Sequence, residues 1–224
     1  NSYLKRYGLI ILLIIDFSVV GVSSFNYVQT PTKKLPIYSP SMVSDELVEE
    51  DLRYVKKYHR ISDFSLFNQN GENVTHDNYK NKIYVADFFF TTCPDICPIM
   101  TGNMLYLQEN LKNNNDIMLA SFSVTPGVDT IEVLKSYSLE KGVDDSKWNL
   151  MTGEKKQIYD LARKSFLVAK KIHNEQSHGM IHTENFVLVD KEKRIRGYYD
   201  GTNIEEMDRL LDDIKILLDS YESS

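Results

Sequence analysis

Ile83-Tyr84-Val85-Ala86-Asp87-Phe88-Phe89-Phe90, followed at once by Thr91-Thr92-Cys93-Pro94-Asp95-Ile96-Cys97-Pro98, is the stretch on which the reading of the chain turns. Residues 83–90 are rich in β-branched and aromatic side chains and barely alternate with polar ones, which predicts a strand buried on both faces. Residues 100–111 carry apolar side chains at helical spacing. The two cysteines therefore stand where a strand hands over to a helix, outside its carboxyl end, the position at which open α/β sheets build their sites. If this segment is the first turn of the helix, residues four apart stack on one face. Both sulfurs then point the same way, close enough to share a metal ion or to form a disulfide. A helix N-terminus favours thiolate over thiol, which metal binding and redox chemistry both need. Pro98 suits an opening turn, where its missing N–H costs nothing.

Beyond this stretch, residues 117–124 read as the next strand, and Asp129-Thr130-Ile131-Glu132 as a capping box opening a helix to about 141. Trp148 reads as a structural residue closing the core before a helix over about 154–166. Two short strands follow at 186–189 and 195–199, with a turn between them. Thr202-Asn203-Ile204-Glu205 is a second capping box, and its helix is expected to put Ile204, Met207, Leu211, Ile214 and Leu218 on one face. Upstream, Ile61, Phe64, Leu66 and Phe67 precede Asn70-Gly71, a hairpin signal. Hairpin, β-α-β, helices, then β-β-α is the thioredoxin arrangement. The expected fold is α/β and thioredoxin-like, a central mixed β-sheet flanked by helices with an N-terminal β-hairpin addition, over residues 61–224.

The segment before that domain is less globular. Residues 8–25 carry 12 Leu, Ile, Val and Phe side chains and one charge, Asp16. At about 1.5 Å per residue they span roughly 27 Å. Each apolar side chain favours insertion by about 0.3 to 0.6 kcal/mol, against about 2.5 to 3.5 kcal/mol for the Asp, so insertion wins. Residues 1–25 are expected to be a membrane anchor, or else a cleaved signal segment, with a buried helix as the third possibility. Lys5 and Arg6 hold the cytoplasmic side, so the domain is expected to be exported to the periplasm or an equivalent compartment. Residues 26–60, broken by Pro31, Pro36 and Pro40, read as a linker. In the whole chain of 224 residues, 26 Lys and Arg against 32 Asp and Glu give a net charge of −6 with no basic block, which argues against a nucleic-acid partner. Two cysteines exclude a disulfide-framework scaffold.

A structural disulfide between Cys93 and Cys97 would close a loop of five residues and contribute only about 2 kcal/mol, little for a domain with a good core. A functional dithiol is the stronger reading, and the spacing alone leaves redox and metal use open. Of five histidines, His59 and His76 read as solvated loop residues, and His173 and His178 lie in a polar loop. His182 differs: it immediately precedes the strand at 186–189, a position that faces the dithiol in a thioredoxin-like fold and that thioredoxins give to a cis-proline. The chain has no proline after Pro126. Two thiolates and an imidazole make a soft site suited to Cu(I), and able to hold Cu(II) with help.

Residues 90–98 resemble the signature of the SCO/SenC copper-chaperone family, whose core is Thr-x-Cys-Pro-Asp-x-Cys-Pro. Ser123-Val124-Thr125-Pro126 with Asp129-Thr130 is similar to that family's Ser-Val-Asp-Pro and downstream Asp-Thr segment, with Thr125 replacing the acidic residue and Ile181 replacing an Asp common before the histidine. The resemblance implies that Cys93, Cys97 and His182 are copper ligands, and that the protein is a membrane-tethered metallochaperone rather than an ordinary enzyme. It implies as partners the subunit holding the binuclear copper site (CuA) of cytochrome c oxidase, other copper chaperones, and thiol reductants. The alternative is a thiol-disulfide oxidoreductase acting through Cys93 and Cys97 on exported proteins. A peroxide-reducing enzyme on the same fold is weaker, its Thr-x-x-Cys signature only half matched.

Overall fold

The computed structural model describes residues 7–8, 17–18, 34–169, 181 and 183–222. Two compact units are distinguished, Asn1–Lys34 and Leu35–Ser224, and the sheet belongs to the second. Among the described residues no helix is long and apolar enough to cross a membrane. Most of the expected anchor at 8–25 lies outside them.

The decisive apolar run forms β3 (Ile83–Phe89), buried at every position. It pairs in parallel with β4 (Ile117–Ser123) and antiparallel with β6 (Asn185–Val189). On one side the sheet continues from β4 to β5 (Trp148–Thr152) in parallel, then antiparallel to β1 (Ser65–Asn68) and β2 (Asn73–Thr75). On the other, β7 (Ile195–Asp200) pairs antiparallel with β6. The order is β2-β1-β5-β4-β3-β6-β7, a mixed seven-stranded sheet. The turn between β1 and β2 uses Gly71 at φ +75°, a conformation glycine adopts without steric cost.

Helix α1 (Ile96–Leu111) buries Met100, Met104, Leu107 and Leu111, at steps of three and four, and packs on β4 and on α4 (Ile204–Glu222). Helix α2 (Ile131–Lys141) lies over β1 and β5. Helices thus flank a mixed sheet, as expected of a thioredoxin-like fold.

Several expectations need correction. Trp148 is buried ahead of a helix as expected, but it opens an interior strand, β5, that the sequence did not announce, and its indole N–H donates to Ser121 Oγ at 2.8 Å. The helix expected at 154–166 is α3 (Lys155–Asp160) followed by one π-helical stretch, Leu161–Ser165. On α4 the buried face is Met207, Leu210, Ile214 and Leu217, while Ile204 is exposed. Both sets repeat at helical spacing, and docking on β7 selects the second. His76 is buried among Phe64, Tyr79 and Tyr84, and burial pulls its pKa down to about 4. Residues 35–60, expected as linker, belong to the compact unit: Leu35 and Val48 are buried in its core.

Candidate metal centre

Helix α1 begins at Ile96 with Asp95 as its N-cap, so Cys97 is in the first turn and Cys93 lies before it. The two cysteines therefore do not share a helical turn, which corrects the expectation from spacing. The opening N–H groups of a helix have no partner within it. Here the backbone N–H groups of Asp95, Cys97 and Ile96, with the Cys97 thiol, favour the ionised form of Cys93. The Asp95 side chain makes no capping bond. Pro98, third in the helix, withholds no N–H that would have been used.

The two thiols are unequal. Cys93 is half-buried and Cys97 buried. Burial opposes ionisation of Cys93, but the neighbouring backbone N–H groups and the Cys97 thiol outweigh it and hold its pKa below the ordinary thiol value. Burial pushes Cys97 up to about 12, against a backbone N–H from Phe90 and with help from the Cys93 sulfur and the Asp87 carboxyl. Asp87 projects from β3 beside Ser121 of β4, which stands opposite it in register and donates its hydroxyl. Burial raises the Asp87 carboxyl to about 7.

Sequence reasoning missed a second buried carboxylate. Asp129 was expected in a capping box, yet the cap of α2 is Thr130, whose side chain accepts from Val133 N. Asp129 instead turns inward, fully buried, and accepts from Thr91 N (3.2 Å), Thr91 Oγ1 (2.5 Å), Ser123 Oγ (2.5 Å) and Thr125 Oγ1 (3.0 Å).

His182 lies outside the described residues, as do His173 and His178. Its neighbours Ile181 and Thr183 are buried, and Thr183 Oγ1 accepts from Asn185 N at 3.2 Å at the start of β6. Because β6 runs antiparallel to β3, that start lies at the end of the sheet to which β3 delivers Cys93. Among the described residues no three His, Cys, Asp or Glu side chains are grouped to hold a metal ion. His59 is partly buried and its Nε2 lies 2.7 Å from Ser165 O. What the structure brings together is a pair of free thiols at the start of α1, the Cys93 thiol held below its ordinary pKa and the Cys97 thiol pushed above it. That donor set fits a soft monovalent metal and equally fits disulfide formation.

A mixed sheet flanked by helices, with a dithiol at the junction of β3 and α1, defines a thioredoxin-like thiol protein. The sequence profile of the SCO1/SenC family matches residues 53–219, and the chain belongs to that family. The SCO1 protein homolog of Bacillus subtilis (strain 168) is 34% identical over 160 residues, covering 70% of this chain and 82% of its own. Among solved structures, BsSco is described as carrying a disulfide switch and as a member of the Sco family of cytochrome c oxidase assembly proteins. It is 33% identical, with a TM-score of 0.59 over 70% of this chain and 93% of its own. Arabidopsis thaliana ScoI, solved with copper bound, is 27% identical, with a TM-score of 0.55 over 69% of this chain and 97% of its own.

Proposed function

We propose that this chain is a membrane-tethered, exported copper-binding protein serving the assembly of cytochrome c oxidase, with copper as its cargo. Cys93 and Cys97 supply two sulfur ligands and His182 the third. The observation that carries the reading is the placing of two free cysteines at the junction of β3 and α1, where the helix-opening N–H groups favour Cys93 as thiolate. The copper bound to Arabidopsis ScoI supports it. Two thiolates and an imidazole form a soft, low-coordinate set from which Cu(I) leaves by ligand exchange with a recipient's own thiolates.

The inequality of the thiols supports a second use of the same pair. Cys93, ionised more readily and partly exposed, attacks a partner's disulfide, forming a mixed disulfide and expelling one partner thiolate. Cys97, once it has given up its proton, attacks Cys93 and releases the second partner thiolate. The partner gains two electrons and this chain is left with a Cys93–Cys97 disulfide. The disulfide switch of BsSco is the parallel.

The test is a Cu(I) titration beside a thiol count on reduced and oxidised full-length protein. The reduced chain should bind one Cu(I) and the oxidised chain none, because the disulfide removes the thiolates a soft metal requires. Cys93→Ser and Cys97→Ser should abolish both copper binding and disulfide formation. His182→Ala should weaken copper retention and leave the cysteines oxidisable. Equal Cu(I) affinity in the oxidised protein, or parental affinity in His182→Ala, sinks the three-ligand site.

A further inference from the structure

The geometry points to Asp129 as a positioning residue for the Cys93–Cys97 pair, acting through Thr91. This rests on the reading of those cysteines as the working dithiol. Two loops leave the carboxyl ends of the adjacent parallel strands β3 and β4, and one buried carboxylate joins them. From the first loop, Thr91 gives Asp129 both its backbone N–H (3.2 Å) and its hydroxyl (2.5 Å). From the end of β4 and the loop after it, Ser123 and Thr125 give their hydroxyls at 2.5 and 3.0 Å. Thr125 N in turn donates to Ser123 Oγ at 3.2 Å.

The four donors to Asp129 are neutral and come from three residues. A carboxylate is the side chain with enough lone pairs to accept from all of them at once. Burying one is costly unless it is fully hydrogen-bonded, as this one is. Its effect falls on a single turn. Thr91 is two residues before Cys93, and Cys93 N reaches back to Phe90 O at 3.3 Å. Fixing Thr91 at two atoms therefore fixes where the Cys93 sulfur sits relative to the N–H groups opening α1. When the turn is released, Cys93 is no longer held at the opening of α1, and the reduced pair loses the helix-terminus environment that favours it and that the disulfide does not need.

The experiment equilibrates the full chain with glutathione redox buffers and counts thiols, for the parent and four variants. Thr91→Val keeps the shape and the N–H but removes the hydroxyl. Asp129→Asn keeps the size but turns an acceptor into a donor that faces other donors. Both should move the dithiol–disulfide equilibrium toward the disulfide, by about tenfold, the scale expected for one hydrogen bond to a charged group. Thr91→Ser, which restores the hydroxyl, should return it to within about twofold of the parent. Asn203→Ala removes a side chain that accepts from Glu205 N at the start of α4, remote in sequence from the dithiol, and should weaken the fold without moving the equilibrium. If Asp129→Asn fails to fold, Thr91→Val alone decides. A Thr91→Val chain that equilibrates like the parent, or an equal shift in Asn203→Ala, overturns the positioning role while leaving the dithiol intact. A parent that forms no reversible disulfide overturns the dithiol reading itself.

Discussion

Asp87 carries a carboxyl group into the interior of the sheet with Ser121 as its side-chain donor. Ser121 also accepts the Trp148 indole N–H, so strands β3, β4 and β5 meet at one hydroxyl. Burial sets the Asp87 pKa at about 7, against 3.8 when unhindered. Between those values the folded chain keeps a proton that the unfolded chain gives up. The stability due to protonated Asp87 is therefore full below about pH 4 and lost as the pH rises through about 7, a difference on the order of 4 kcal/mol. Asp87→Asn cannot ionise and should lose this dependence. Urea unfolding at about pH 4 and about pH 8 should show the variant gaining on the parent at the higher pH. The same substitution removes a negative neighbour from Cys97, so its thiol should titrate lower. Identical pH profiles for parent and variant would mean that Asp87 does not set the pH dependence.

At the scale of elements, β3 and α1 were legible because each carries its own pattern, a continuous apolar run and then a helical repeat. Strand β5 was not legible. Its five residues, Trp148-Asn149-Leu150-Met151-Thr152, are all buried, yet two are polar and their partners lie far away in sequence. Asn149 bonds Asn68 and Tyr79, at 3.0 and 3.1 Å. The Gln69 side chain, just past the end of β1, accepts from Leu150 N at 2.8 Å and donates to Trp148 O at 3.0 Å, extending the ladder by which β1 flanks β5. The site divides in the same way. The cysteine spacing announced a dithiol, but nothing in spacing shows that Cys97 enters the helix and is buried while Cys93 stays before it and partly exposed. Likewise Asp129 beside Thr130 matches a local cap pattern, and only the packed loops show it turned inward. Gln69→Leu should leave two backbone groups of β5 unpaired in the interior, costing roughly 2 to 5 kcal/mol. Chemical denaturation measures it, and a loss under about 1 kcal/mol would mean that water or a neighbour replaces the amide.

For the molecule as a whole, the consequential difference from the sequence reading is where the folded unit begins. Prolines at 36 and 40 and a charged run beyond them look like a linker. In the structure Leu35 is 7% exposed and Val48 4%. Strand β7 is an edge of the sheet, and Tyr38 N donates to Ile195 O on it at 2.9 Å, while the Tyr38 ring meets Tyr198 edge-on at 5.2 Å. Arg196, paired with the buried Asp190 at 2.9 Å, holds Pro36 O and Leu35 O, each at 2.8 Å. The segment thus covers part of an edge that would otherwise invite pairing with another chain. Burial of Leu35 and Val48 contributes about 1.5 to 3 kcal/mol each, and the hydrogen bonds about 0.5 to 1.5 kcal/mol each. Against a total stability of about 5 to 15 kcal/mol, losing roughly 5 kcal/mol is decisive. A chain shortened to begin at Leu35 should unfold in a single cooperative transition and keep its dithiol. One shortened to begin at Ile61, as the linker reading would have placed the boundary, should be less stable by roughly 5 kcal/mol and should self-associate through the uncovered β7. Arg196→Met should release the segment more gently, opening residues 35–60 to protease while the sheet stays folded. Urea denaturation, size-exclusion chromatography and limited proteolysis read these outcomes. Equal stability of the two shortened chains would return the segment to the status of a linker.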